Sequence, residues 1–269
     1  MEFLAEPAGH LETRLERDFR ISSKYVLGAG SLFQKAAANL EAIRLLKRIE
    51  LAGRLANEDE KAILVRYTGW GALPQVFHPR VPEEWRSTAN ELESLLTDGE
   101  YKAARASTPN AHYTSCAVIE AIWNALLRFG AAPPAKILEP ALGIGHFFGL
   151  MPHVLEANAV RVGIELDSIS ARIAQLLYPD STIREAAFEA VSLPNSFFDV
   201  VVGNVPFGNY PVYDPHYAKQ NSLTRSIHDY FVGKSILSGL AVSLLSSRAA
   251  IRSINRTTWF GNISLPKPT

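Results

Sequence analysis

Residues 136–147 read KILEPALGIGHF. Lys136 to Leu138 is a short run of strand formers, and it opens onto a turn holding Gly143 and Gly145. The pattern of strand, turn and helix then repeats. Val160 to Ile164 is read as a second strand, ending in Glu165, Leu166 and Asp167, and a helix is expected over 168–177. The turn at 143–145 is expected to open a helix running to about residue 157. A short third strand is expected at about 181–183. Phe198 to Val202 is a run of buried β-formers ending in Gly203 and Asn204. A helix at about 227–238 and a strand at about 240–246 complete the series. Nearly continuous apolar strands, alternating with helices, predict a parallel sheet with helices on both faces.

Upstream the register is helical. Leu40, Ile43, Leu46 and Ile49 recur every three residues, with Leu45 beside them, and Gly53 ends the run. Asn57 and Glu60 form a capping pair for a second helix, about 58–67. A turn-rich aromatic loop, GWGALPQVF (69–77), precedes a third helix at 83–97. Tyr67, Trp70, Phe77 and Trp85 read as packing residues. Thr114 or Ser115 caps a further helix to about Phe129, and Pro133-Pro134 closes that region. The expected division is a helical region over 1–107, a Rossmann-like unit over 108–246 and a divergent basic tail over 247–269.

A length of 269 residues allows one or two such units. The 47% hydrophobic content excludes a wholly disordered chain. No apolar run reaches the ~18 residues that span a bilayer, and the start MEFLAEPAGH lacks a signal-peptide pattern. A cytoplasmic location without membrane contact is expected. Cys116, the one cysteine, excludes an internal disulfide and a cysteine-built zinc site; no metal is expected. Net charge is zero, yet from Pro215 onward seven basic residues face Asp229 alone. A basic end of this kind suits a polyanion or a solvated tail.

In an open parallel sheet, ligands bind beyond the carboxyl ends of the strands. Gly143 and Gly145 would let the backbone approach a ligand closely, and free amides follow at the next helix start. The third glycine of the dinucleotide fingerprint is missing, because position 148 is Phe. Glu139 would repel a pyrophosphate and suits a cationic ligand. S-adenosylmethionine carries both an ammonium and a sulfonium. Glu165 lies 22 residues past Gly143, where an acid accepts hydrogen bonds from a ribose diol. At the next strand end, Phe188 would flank an adenine ring and Glu189 would accept from its amino group. Then Gly203-Asn204-Val205-Pro206-Phe207-Gly208 follows a buried strand. Pro206 stiffens this turn. The Asn204 amide and the Val205 carbonyl then converge as two acceptors for a planar amino group, whose lone pair is freed to attack a methyl. Phe207 offers an apolar face for stacking.

The order LEPALGIGHF, GIELD, AFE, GNVPFG resembles the adenine-N6 DNA methyltransferases with an Asn-Pro-Pro-Tyr-type motif. More closely, it resembles the methylase domain fused to helicases in large proteins of mobile elements. The runs ARASTPNAHYTS (104–115) and YTGWGALPQVF (67–77) are similar to that group as well, and the likeness covers about residues 18–236. It implies a Rossmann-like sheet that binds S-adenosylmethionine and methylates an adenine rotated out of DNA. It implies that Tyr113, Thr114 and Ser115 hold the methionine end of the cofactor, with Glu139, Gly143 and Gly145 as the cofactor loop. Glu165 becomes the ribose acid, Glu189 the adenine acid, and Asn204 to Phe207 the catalytic motif. Val205 stands where the family has proline, a change that a backbone contact tolerates. After about residue 238 the likeness fades. The sheet is therefore expected to be incomplete and the chain truncated, with a helicase domain or second polypeptide as the partner completing it. Two alternatives stay open: an inactive remnant that binds DNA or docks a helicase, and methyl transfer to a protein glutamine or an RNA base amino group.

Overall fold

A computed structural model describes residues 17–25, 27–109, 113–217, 221–245 and 252–255; most of the basic tail over 247–269 lies outside the described residues. The helical region contains α1 (Leu32–Leu51), α2 (Glu58–Leu64), α3 (Arg86–Leu95) and α4 (Asp98–Ser107). Local chemistry sets the helix starts. Ser31 with Gln34, Asn57 with Glu60, and Thr97 with Glu100 each form a reciprocal capping box. Pattern reading missed α4, although its Thr97-x-x-Glu100 signature was visible. The helix expected over 83–97 is a 3-10 turn (Glu83–Trp85) running into α3, and α2 stops three residues short of the expected end.

α5 (Cys116–Arg128) leads into the sheet unit. There follow β1 (Lys136–Glu139), α6 (His146–Gly149), β2 (Val160–Glu165), α7 (Ser168–Leu177), β3 (Thr182–Glu185) and β4 (Phe198–Asn204). α8 (Asn221–Thr224), α9 (Ile227–Ser238), β5 (Gly239–Leu245) and β6 (Arg252–Asn255) complete the described elements. The strand order is β3-β2-β1-β4-β5-β6, parallel from β3 to β5, with β6 antiparallel at the edge. This is a Rossmann-like sheet, and its order reverses between β1 and β4. β6 is a strand that the sequence did not announce. The helix expected from the glycine turn to residue 157 is also different: α6 lasts one turn, and a 3-10 turn (His153–Leu155) follows Pro152. Gly149 and Pro152 explain the early stop.

Alternation sorts the strand side chains onto two faces. Ile137, Val200 and Val202 join the larger core with the helical region, α5 and α7. Leu138 and Val201 join a second core with Tyr230, Phe231 and Ile236 of α9. The helical region is therefore packed on the sheet through one continuous apolar core, which includes Tyr67, Trp70, Phe77 and Trp85.

Gly145 sits at φ 84° before α6, and a Cβ there would lie 2.5 Å from the buried ring of Tyr178. Left-handed backbone and a close ring both exclude a side chain. Gly145→Ala is expected to destabilise the fold by about 2–4 kcal/mol in urea unfolding. A loss below about 0.5 kcal/mol would contradict this packing.

Candidate functional site

The turns that follow β1, β2, β3 and β4 share one edge of the sheet and enclose a cavity of about 620 Å3. Glu139 and Gly143 line it from β1, Glu165 from β2, Phe188 and Glu189 from β3, and Asn204 and Pro206 from β4. Tyr113 and Thr114 line it from the segment before α5. Nine of the sequence-predicted residues thus meet in one space. Four do not face it. Ser115 is the exposed N-cap residue of α5, and Gly145 lies under Tyr178. Val205 is buried in the second core, and Phe207 stacks on His228, with ring centroids 6.0 Å apart. Tyr210 and Tyr213 of the loop after β4 and Phe231 of α9 also line the cavity, and none of them is marked by a motif in the sequence.

Glu165 organises the turn. Its Oε2 accepts the Gly143 N–H at 2.7 Å, and its Oε1 accepts the Asp167 N–H at 2.7 Å. Leu142 N–H donates to the Ile164 carbonyl at 3.0 Å, which extends the β1–β2 pairing into the turn. Asp167 in turn caps α7 through Ser170. The Tyr113 ring covers Gly143, 3.4 Å from where a Cβ would stand. The Glu165 carboxylate has spare acceptor capacity after these two bonds. Burial and the neighbouring Asp167 push its pKa up to about 7, against the pull of the backbone donors.

Glu139 is 2% exposed, and its Oε2 has no hydrogen-bond partner among the described residues. Burial, and then the charge of Glu165, push its carboxyl far above the usual range. Burial also raises Asp167. Three carboxyls facing one cavity make a site that gains from a cation, since a positive group would restore their ionised forms. No grouping of three metal-ligating side chains occurs among the described residues.

The helical region supplies one wall of the cavity. Gly69 of the aromatic loop and Ala103, Ala106 and Ser107 of α4 line the cavity. Buried Asn39 of α1 fixes that loop: its Nδ2 donates to the Gly69 carbonyl at 2.6 Å, and its Oδ1 accepts the Thr68 N–H at 2.8 Å. Glu100 ties α4 to Lys47 of α1 and to Arg172 of α7. On the opposite side, Lys234 Nζ donates to the Phe188 carbonyl at 2.7 Å and to Asp214 Oδ2 at 3.2 Å. Tyr230 Oη donates to the same Asp214 oxygen at 2.5 Å. This buried network joins the turn after β3 to the loop after β4. A lysine within the apolar run of α9 was its only trace in the sequence.

No protein-family model matches the chain. A 191-residue stretch is 30% identical to "Defense against restriction protein B" of Escherichia phage P1, covering 69% of this chain and 7% of that protein. The chain therefore spans less than a tenth of the length of this relative. Similar solved structures include a type I restriction-modification system methyltransferase subunit from Streptococcus thermophilus. It is 14% identical, with a TM-score of 0.45 over 77% of this chain and 55% of that one. A second, from Listeria monocytogenes, is assigned provisionally to the class I S-adenosylmethionine-dependent methyltransferases. It is 18% identical, with a TM-score of 0.44 over 77% of this chain and 73% of that one.

The raised Glu165 pKa sets a pH dependence. Its folded value lies above that of an unfolded carboxyl, so the fold binds this proton more tightly than the unfolded chain does. Its contribution is complete below about pH 4.5 and is lost as pH rises toward 7. Between pH 5 and 8, urea unfolding should show a smaller loss of stability for Glu165→Gln than for the unsubstituted protein. Parallel curves would place the Glu165 titration elsewhere.

Proposed function

We propose that the chain is an S-adenosylmethionine-dependent methyltransferase unit acting on the N6 amino group of adenine in DNA. The observation that carries this reading is that Gly143, Glu165 and Asn204, far apart in sequence, line one cavity. Had they opened on different sides of the sheet, no single ligand could have joined them. The phage relative, whose name refers to restriction, supports DNA as the acceptor.

Bound S-adenosylmethionine would supply an electrophilic methyl group on a sulfonium that leaves as a neutral thioether. The residues present fit this group. The unpartnered Oε2 of Glu139 suits its ammonium. The spare acceptor positions of Glu165 suit its ribose hydroxyls. Phe188 and Glu189, held by Lys234, suit its adenine. Tyr113 and Thr114 close the methionine end.

Asn204 stands at the tip of β4, beside β1. A Cβ on the preceding Gly203 would lie 3.4 Å from Glu139 Cγ, so the two strand tips lie side by side. In our reading, the Asn204 side-chain oxygen and the Val205 carbonyl accept the two amino hydrogens of the flipped base. That holds the nitrogen lone pair toward the donor. Catalysis is then positioning and electrostatic complementarity, with no covalent enzyme intermediate. Tyr210 and Tyr213 give the acceptor side planar apolar walls. Residues 108–246 are the cofactor- and base-binding unit, and α1 to α4 with the aromatic loop cover one side of it. Target recognition falls to a partner, a helicase domain being our candidate.

A tritiated-methyl assay offering duplex DNA, RNA and protein in parallel tests the acceptor; incorporation into RNA or protein alone would overturn the DNA assignment. Asn204→Ala should lower transfer at least 100-fold while leaving S-adenosylmethionine affinity within about threefold. Retained transfer would remove Asn204 from the mechanism. In calorimetry, Glu165→Ala should weaken cofactor binding about tenfold or more, from the loss of ribose hydrogen bonds and of the turn it braces. Unchanged affinity would contradict its role.

A further inference from the structure

His146 belongs to neither the proposed chemistry nor the sequence-predicted site, yet it lines the same cavity. It opens α6, directly after the glycine turn, and is 5% exposed. Neither ring nitrogen has a hydrogen-bond partner of good geometry among the described residues. Polar nitrogens buried without partners are costly, and a histidine that only filled space would be replaced by an apolar side chain at no loss. Its ring lies against Tyr113, with centroids 5.1 Å apart and planes tilted by 59°, so its orientation is fixed by packing.

Burial holds the imidazole neutral, with a pKa lowered to about 4, opposed only by the backbone of Val65. A neutral imidazole has one N–H and one lone pair. The Val65 backbone contact, too poor in geometry to count as a hydrogen bond, still favours the N–H on that side and leaves the lone pair for the other nitrogen. A buried lone pair calls for a donor. Glu139 Oε2, on the same cavity and also unpartnered, makes the same demand.

We propose that His146 and Glu139 together receive the ammonium of an α-amino-acid ligand end, His146 through a ring nitrogen lone pair and Glu139 through its carboxylate. This rests on the S-adenosylmethionine reading and adds to it a binding residue and a defined partner group. A neutral acceptor beside the carboxylate takes a further ammonium hydrogen without repelling the cation, as a protonated histidine would.

The test is calorimetry on the full chain with three nucleosides. S-adenosylhomocysteine has the ammonium and the carboxylate, its decarboxylated analogue has the ammonium alone, and methylthioadenosine has neither. His146→Leu should weaken the first two about tenfold, the worth of one charge-assisted hydrogen bond, and leave methylthioadenosine within about twofold. His146→Gln keeps an acceptor oxygen and should retain S-adenosylhomocysteine affinity within about threefold. Equal losses on all three ligands would show that His146 merely braces the turn. Loss on S-adenosylhomocysteine alone would move its contact to the carboxylate. Affinity unchanged by His146→Leu would also overturn the proposal. A wild-type protein that binds none of the three would instead overturn the methyl-transfer reading itself.

Discussion

Two backbone N–H groups donated to one carboxylate hold the site together. Glu165 takes one from the glycine turn and one from the start of α7. Without that bridge, the Leu142–Ile164 bond and the packing of Leu142 over Gly163 would still tie the turn after β1 to β2, but nothing in them reaches Gly143. The bridge is made in a half-buried place among other carboxyls, so it works against desolvation and repulsion. The fold tolerates that tension where a cationic ligand would relieve it. Glu139, Glu165 and Asp167 crowd one cavity, an arrangement that a braced turn alone does not require.

The two sides of the cavity are held by different means. On the helical side, the wall is built from small residues, Gly69, Ala103, Ala106 and Ser107, so backbone comes close to the cavity. Asn39 and Glu100 hold those residues from beneath. On the opposite side, the wall is aromatic and lies beside the buried Asp214–Tyr230–Lys234 network. Buried charge pairs seldom add much net stability, but they fix geometry, since a shifted partner leaves an unpaired charge. Here the geometry fixed is that of Phe188 and of the loop after β4.

Much of this was legible in the sequence, for definite reasons. Short stretches rich in Val, Ile and Leu marked β1, β2 and β4, and a reciprocal cap marked α2, because both signals are local. Gly143, Glu165 and Asn204 were legible because strand tips in a parallel sheet share an edge. The misses have separate causes, some of them local. α4 has a short, weakly apolar pattern, with Ala104 as its only buried residue. α6 stops early because of Gly149 and Pro152, which a helical period does not register. His146, Tyr210 and Tyr213 acquire meaning only from what the chain places opposite them. Phe207 shows the same limit in reverse: its motif position suggests a stacking face, while its ring lies on His228.

In the proposed binding mode, S-adenosylmethionine lies lengthwise in the strand-tip cavity, amino-acid end at Glu139 and ribose at Glu165. A crystal structure of the protein grown with S-adenosylhomocysteine decides between this mode and any other. The ammonium is expected within hydrogen-bond distance of Glu139, and the ribose hydroxyls on a Glu165 that still holds the Gly143 amide. A ligand bound away from these carboxylates, or lying in the reverse direction, would contradict it.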